Sequence, residues 1–137
     1  MQTKERNEWV KALRSGNYQQ GRHALRSGKD GDQDKFCCLG VACDIFESHL
    51  QLDVVKRYIN DELFDVAYSG QSTVLPQSVA NTVGLKTREG RLTLPTDGME
   101  GHEYETLTSI NDSGATFQEI ADILEKYESL LFNDVAE

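Results

Sequence analysis

Three cysteines stand within seven residues of one another, and their chemistry is the first question that the sequence raises. They are Cys37, Cys38 and Cys43 in the run Phe36-Cys37-Cys38-Leu39-Gly40-Val41-Ala42-Cys43-Asp44. Structural zinc sites usually combine two separate half-sites, but this chain has one cluster, in which Cys38 and Cys43 would lie about 140° apart on a helix. A zinc site would need help from His23, His49 or His102. We therefore predict no metal and no cofactor.

A nucleophilic cysteine is the second interpretation of this run. Cys37 or Cys38 would stand at the N-terminus of a helix, where backbone N–H groups lower the pKa of a thiol. Such a thiol also needs a base, so His23 or His102 would have to approach it in space. No local motif predicts that approach. We favour a third interpretation, in which the cysteines are small buried hydrophobes that anchor a helix to a sheet, and we keep Cys37 and Cys38 as the alternative catalytic residues.

A basic N-terminal segment is the candidate binding surface. Residues 1–35 contain eight Lys/Arg and five Asp/Glu, whereas residues 36–137 contain six Lys/Arg and eighteen Asp/Glu. The acidic part is a poor partner for a phosphate backbone, which disfavours nucleic acid as a partner and leaves a basic protein open. In the basic part, Tyr18–Arg22 combines an aromatic ring, amides, a glycine and a cation, which suits a small anionic, nucleotide-like ligand. The alternatives are a turn covered by Tyr18 and a solvated charged surface. The predicted ligand-binding residues are Lys11, Arg14, Tyr18, Gln20, Arg22 and Arg26.

A second polar stretch, Ser109–Thr116, lies between two predicted helices. Its small polar side chains suit either ligand binding or helix capping. Capping is favoured because Thr116-Phe117-Gln118-Glu119 is a capping box, in which the Thr116 and Glu119 side chains satisfy reciprocal backbone amides. The helix that follows is acidic and offers no surface for reading DNA.

The composition is that of one globular domain. The chain has 137 residues, of which 38% are hydrophobic, and its net charge is −9. This length and hydrophobic fraction are enough to bury a core without disulfides or a metal. No apolar run approaches the roughly 18 residues of a membrane span, and the N-terminus lacks the apolar core of a signal peptide. We therefore expect a cytosolic protein with three free thiols and a single domain over residues 1–137.

Hydrophobic periodicity and helix signals predict an α+β fold, with a β-hairpin and short strands packed with about four helices. The clearest helices are those that contain the cysteine run and the capping box. The predicted elements are a helix over 3–15, a hairpin of 22–27 with 34–38, a helix over 38–49, short irregular strands within 51–74, a helix over 76–83 with Pro76 at its first position, a strand over 92–94, a turn region over 95–101, a helix over 105–111 and a helix over 117–131.

Four separated segments together carry a resemblance to a known family. They are Trp9-x3-Leu13-Arg14-Ser15-Gly16-x-Tyr18-x-Gln20-Gly21, then Cys37-Cys38-Leu39-Gly40-Val41-x-Cys43-Asp44, then Leu75-Pro76, and finally Asn111-Asp112-x-Gly114-x-x-Phe117-x-Glu119-Ile120-Ala121-Asp122. With them the chain resembles a family of small, mostly uncharacterised proteins encoded by tailed bacteriophages and prophages. The resemblance implies a nonstructural accessory protein in the cytoplasm of the host bacterium. It implies no reaction, so it carries over no catalytic residue.

Two classes of function follow as expectations. The first is a non-enzymatic binder, which neutralises a host antiviral defence factor or sequesters a nucleotide-derived signal. The second is a cysteine-dependent enzyme that modifies a host protein or nucleotide. The absence of catalytic motifs favours the binder, whose partner would be a host protein or a small anionic nucleotide-like ligand. The sequence leaves open whether the chain forms homo-oligomers.

Overall fold

The α+β prediction is confirmed by a computed structural model that describes residues 4–92 and 105–133. Four of the six helices in these residues have seven or more residues, and a five-stranded mixed sheet packs with them. The elements are α1 Lys4–Arg14, β1 Gln19–Gln20, β2 Arg26–Lys29, β3 Lys35–Phe36, α2 Cys38–Leu50, β4 Val54–Tyr58, β5 Leu63–Tyr68, α3 Gln77–Val83, β6 Arg91–Leu92, β7 Glu105–Thr106, α4 Leu107–Asp112, α5 Phe117–Lys126 and α6 Glu128–Leu131.

The main sheet has the strand order β1-β3-β2-β5-β4, and β6 pairs with β7 in a separate two-stranded sheet. β1 runs parallel to β3, and the other pairs of the main sheet are antiparallel. Because side chains alternate along a strand, one face carries the buried Phe36, Phe64 and Val66. The opposite face, here called the outer face, carries exposed residues such as Lys29 and Lys35.

Helix α2 forms the centre of the core, and its N-terminus is capped by a thiol. The Sγ of Cys37 accepts a hydrogen bond from the backbone N–H of Gly40 at 3.4 Å. The indole Nε1 of Trp9 donates to the carbonyl oxygen of Cys38 at 2.9 Å and thereby joins α1 to the first turn of α2. Cys38 and Cys43 are both fully buried, which is the position that the sequence favours for these residues.

The hairpin predicted over 22–27 and 34–38 is present as β2 and β3, but β2 begins only at Arg26 and extends to Lys29, and β3 is shorter than predicted. Residues 51–74, predicted as short irregular strands, instead contain a regular antiparallel hairpin of β4 and β5. The Asn60 side chain explains its tight turn, because Oδ1 accepts hydrogen bonds from the backbone N–H groups of Glu62 at 3.0 Å and Leu63 at 2.8 Å.

Three helix predictions need local corrections. Pro76 is the N-cap of α3 rather than its first helical residue. The capping box of Thr116 and Glu119 is confirmed, but the helix breaks at Tyr127 into α5 and α6. The helix predicted over 105–111 begins only at Leu107, after β7. Most of the predicted strand 92–94, the turn region 95–101 and His102 lie outside the described residues.

Arg6 of α1 is a charged residue that is buried in the core. Its side chain is only 2% exposed. Nη1 donates to Oε1 of Glu128 at 3.1 Å, Nε donates to the carbonyl oxygen of Val83 at 3.3 Å, and the guanidinium stacks 4.0 Å from the centre of the Phe132 ring. These contacts compensate the burial of the charge, so an arginine belongs to the core.

Candidate ligand-binding site

A cleft of about 630 Å³ opens where the connection after β1 meets the connection between α4 and α5. Its lining residues are Gln20, Gly21, Arg22, Ser27, Lys35, Gly114 and Thr116. We call it the Arg22 cleft. It brings together two stretches that the sequence analysis singled out separately, Tyr18–Arg22 and Ser109–Thr116.

Asn111 of α4 joins the two stretches. Its side chain is fully buried, and Nδ2 donates to the carbonyl oxygen of Gly21 at 2.8 Å. Its Oδ1 accepts hydrogen bonds from Nε2 of Gln20 at 2.8 Å and from the backbone N–H of Cys38 at 3.2 Å. One side chain therefore positions a wall of the cleft against the N-terminus of α2, whereas the sequence pattern favours capping over ligand binding for this polar stretch.

Two glycines allow the cations of the cleft to come close to the backbone. A Cβ on Gly21 would lie 2.8 Å from the Cβ of Lys35, which is too close for any side chain. Gly114 has a φ of +112°, and Nη2 of Arg22 lies 3.6 Å from the position that its Cβ would take. A larger residue at Gly21 would therefore displace Lys35, and the positive φ at Gly114 favours glycine.

The electrostatics of the cleft are cationic. Arg22 and Lys35 are both exposed, and within the described part of the chain neither is paired with a carboxylate. None of the described residues that line the cleft is acidic. Ser27 and Thr116 add hydroxyl groups, and because the Thr116 oxygen accepts from the backbone N–H of Glu119, its O–H is left as a donor. Two cations and two hydroxyl donors suit a phosphate or another oxyanion.

The comparison with protein families identifies the chain only at the family level. A family model described as "Domain of unknown function (DUF8296)" matches residues 1–128. The chain belongs to this family. No curated protein and no solved structure matches it.

In this DUF8296 chain, two of the six predicted ligand-binding residues, Gln20 and Arg22, line the cleft. Lys11 is exposed on α1 and does not line it. Arg14 lies at the end of α1 and faces α5, where Nη2 contacts Asp122 at 2.8 Å and a second carboxylate of the same helix. Arg14 is therefore neutralised by neighbours within the fold.

Arg26 and Tyr18 both have hydrogen-bond partners within the fold. Arg26 Nε donates to Asp34 Oδ2 at 2.7 Å, and Nη1 donates to the Tyr68 hydroxyl at 3.3 Å. Burial opposes the charge of Arg26, but these bonds raise its pKa overall. The Tyr18 hydroxyl donates to Asp44 at 2.5 Å, and burial together with this bond raises the pKa of Tyr18. Both side chains thus hold the fold together rather than line the cleft.

A smaller cleft of about 270 Å³ adjoins His23 on the other side of the same connection. His23, Cys37 and Asp112 all contribute to its lining. The His23 backbone N–H donates to Asp112 Oδ1 at 2.9 Å, and its Nδ1 lies 3.3 Å from Oδ2. His23 adopts a φ of +69°, which is unusual for a residue with a side chain. The fold therefore brings a histidine, an acid and a thiol to one cleft, a juxtaposition that no local motif predicts.

The thiols themselves are in the core. Cys37 is 2% exposed, and burial raises its pKa to about 11. Cys38 is fully buried and its Sγ donates to the carbonyl oxygen of Leu107 at 3.6 Å, while burial raises its pKa well above the ordinary value. All three cysteines are free. They are protonated near neutral pH, when a thiol is a poor nucleophile.

Ser27 and Lys35 line the Arg22 cleft but lie outside both polar stretches that the sequence analysis singled out, and neither was a predicted site residue. They are neighbours across β2 and β3, and Gln19 pairs with Lys35 on the other side. The parallel pairing of two-residue strands has no signal in the sequence, so nothing there indicates that Lys35 approaches Arg22.

Within residues 4–92 and 105–133, no group of three or more His, Cys, Asp or Glu side chains is arranged to hold a metal ion. None of the helices in these ranges is long and apolar enough to cross a membrane.

Proposed function

We propose that this protein is a binding protein that holds a small phosphate-bearing anion in the Arg22 cleft. One observation carries the proposal: Arg22 and Lys35 face one cleft, both are exposed, and the described lining contains no carboxylate to neutralise them. Other cations of the predicted surface, such as Arg14 and Arg26, are paired with carboxylates of the fold. An anion in this cleft therefore meets charges that the protein itself leaves available.

The net charge of −9 means that anion binding depends on the local charges of the Arg22 cleft. An acidic chain repels anions at long range, so anion binding requires a site in which short-range contacts outweigh that repulsion. Arg22 supplies a planar fork of donors, Lys35 supplies a point charge, and the hydroxyls of Ser27 and Thr116 supply further donors. Charge-assisted hydrogen bonds of this kind are roughly twice as strong as neutral ones.

Isothermal titration calorimetry with inorganic pyrophosphate at low ionic strength tests the proposal. Wild-type protein is expected to bind, and Arg22→Ala and Lys35→Ala are each expected to weaken binding at least about fivefold. Lys11→Ala is the matched control, because it removes an exposed lysine that does not line the cleft. No binding, or the same loss in all three variants, would contradict the proposal.

We place this activity in the setting that the sequence resemblance implies. The protein would sequester a nucleotide-derived signal in the cytoplasm of a bacterial host and so counter an antiviral defence. Its support is the set of phage-like motifs together with the cationic cleft, and the neutralisation of a host protein stays a prediction without structural support. Mass spectrometry of small molecules released by heat from protein purified from bacteria tests this. An anionic nucleotide should be released from the wild type and not from Arg22→Ala, and an identical profile from both would contradict it.

The competing candidate is a cysteine-dependent enzyme that uses Cys37. Its support is the shared cleft of His23, Asp112 and Cys37. Its weakness is the thiol, which is buried, is engaged as a helix cap and has a raised pKa. Labelling with a thiol reagent below neutral pH separates the two. Slow labelling of the native protein supports the binder, whereas rapid labelling at Cys37 that His23→Ala abolishes supports the enzyme.

A further inference from the structure

We infer that the ligand of the Arg22 cleft is a nucleotide whose base occupies an adjoining apolar cleft. This inference rests on the proposed function, because it assigns the phosphate end of the same ligand to Arg22 and Lys35. The adjoining cleft has a volume of about 370 Å³, and we call it the Ile59 cleft. Its lining residues are Ser27, Gly28, Lys29, Asp32, Gln33, Lys35, Ile59, Leu63 and Phe64.

The two clefts are continuous through two residues. Ser27 and Lys35 line both of them, and they are direct partners in the register of β2 and β3. Paired residues of neighbouring strands project to the same face of a sheet, so both clefts border the outer face. A ligand longer than a phosphate can therefore extend from Arg22, past Lys35, to Ile59.

The chemistry of the Ile59 cleft differs from that of the Arg22 cleft. Ile59 is 71% exposed and Leu63 is 41% exposed, and Phe64, whose side chain lies on the buried face of the sheet, completes the apolar part of the lining. A backbone hydrogen bond closes the turn that presents them, in which the Ile59 N–H donates to the Leu63 carbonyl oxygen at 2.7 Å. Exposed apolar side chains beside a cationic cleft form a surface that a flat apolar group can cover.

Polar residues at the Ile59 cleft distinguish a base from a hydrocarbon chain. Asp32 offers carboxylate acceptors, and Gln33 offers both an acceptor and donors. A nucleobase has a flat face to stack on apolar side chains and polar edges to pair with these groups. A sugar phosphate lacks a flat apolar face that would stack on Ile59 and Leu63. An acyl phosphate has no polar edge that would form hydrogen bonds with Asp32 and Gln33. A nucleoside phosphate matches both clefts and the order in which they adjoin.

Calorimetry on the full chain at low ionic strength tests the inference with pyrophosphate, ADP, GDP, CDP and UDP as separate probes. At least one nucleoside diphosphate is expected to bind about tenfold or more tightly than pyrophosphate. Ile59→Thr or Leu63→Thr should reduce that affinity to the level of pyrophosphate while the affinity for pyrophosphate is unchanged. Val55→Thr is the control, because Val55 is an exposed β-branched residue of β4 outside the cleft.

The outcomes separate this inference from the proposed function. If pyrophosphate binds through Arg22 but no nucleotide binds more tightly, the inference is overturned, and the proposed binding of a phosphate-bearing anion stands. A nucleotide gain that survives in both Ile59→Thr and Leu63→Thr also overturns the inference. If none of the five probes binds, the proposed function fails, and the inference fails with it. The thermal midpoint of each variant shows that the fold is intact, as expected for exposed positions.

Discussion

The side-chain amide of Asn111 donates to the carbonyl oxygen of Gly21 at 2.8 Å and joins α4 to a segment 90 residues earlier in the chain. The same side chain accepts from Gln20 and from the backbone N–H of Cys38. Because Asn111, Gly21 and Cys38 are buried, water is not available to replace the bonds among them. The Arg22 cleft and the N-terminus of α2 thus share one support, and we expect the stability of the fold and the shape of the cleft to change together.

Asn111→Ala tests this support. It would leave the Gly21 carbonyl and the Cys38 N–H without their partner, so the free energy of unfolding should fall by about 2–4 kcal/mol. Urea denaturation followed by circular dichroism measures it, and pyrophosphate affinity should fall in the same variant. Asn81→Ala is the matched control, since Asn81 is exposed on α3 and its Oδ1 accepts only from Gln77 among the bonds described. A loss no larger than that of the control would contradict the role of Asn111.

Much of the fold follows from local patterns in the sequence. The buried face of α2 and the capping box at Thr116 each depend on residues that are close in the chain, so both helices could be predicted. The hairpin of β4 and β5 could not, because β4 is exposed along its whole length and shows no alternation of apolar and polar residues. The pairing of β1 with β3 depends on contacts across the fold. Long-range pairing of this kind leaves little trace in a single sequence.

The candidate site shows the same division. Tyr18–Arg22 and Ser109–Thr116 could be recognised as polar stretches, but their meeting depends on the buried bonds of Asn111. Arg14 is of a residue type that binds anions and lies in the basic segment, yet the packing of α1 against α5 places it beside carboxylates. Sequence patterns therefore identify the residue types of a binding surface, while tertiary packing decides which of them are left available to a ligand.

Gly40→Ala is expected to destabilise the protein, although alanine normally favours a helix. A Cβ on Gly40 would overlap the carbonyl oxygen of Leu25, which also accepts a hydrogen bond from the Cys37 N–H at 3.2 Å. Overpacking at a buried backbone contact should lower the free energy of unfolding by about 3 kcal/mol or more. Ser48→Ala, at an exposed position of the same helix, should be neutral or slightly stabilising. Thermal and urea unfolding measure both, and wild-type stability in Gly40→Ala would contradict the close packing.

Arg14→Gln and Arg22→Gln should separate stability from binding. Arg14 contacts Asp122 and a second carboxylate of α5 at a partly exposed site, so its loss should cost under about 1 kcal/mol and have a smaller effect in high salt. The Arg14→Gln variant should bind pyrophosphate with the affinity of the wild type. Arg22→Gln should show the opposite result, with unchanged stability and at least about fivefold weaker binding. Equal affinities in the two variants, measured by calorimetry, would mean that Arg22 holds no anion.

The stability of the protein should fall as the pH rises above 9, in part because of Cys37. Burial raises the pKa of Cys37 from the ordinary 9.0 to about 11. Between these values the unfolded chain has lost the thiol proton while the folded chain retains it. The folded state then binds more protons, so the stability that this thiol contributes is complete below pH 9 and is lost as the pH rises toward 11.

Cys37→Ser isolates this contribution, because serine keeps an acceptor for the Gly40 N–H and is itself a preferred N-cap residue. Urea denaturation between pH 8 and pH 11 measures the free energy of unfolding of both proteins. This free energy should decline more steeply in the wild type than in the variant, because each proton that the folded state retains changes it by about 1.4 kcal/mol for each pH unit. Over this interval the wild type should lose roughly 1–3 kcal/mol more stability than the variant. Tyr68, whose pKa burial raises to about 12, and the thiols of Cys38 and Cys43 titrate in both proteins, so the difference between the two curves reports Cys37 together with its influence on those two thiols. Parallel curves would mean that the Cys37 thiol ionises as easily in the folded protein as in the unfolded chain, which would restore Cys37 as a candidate nucleophile.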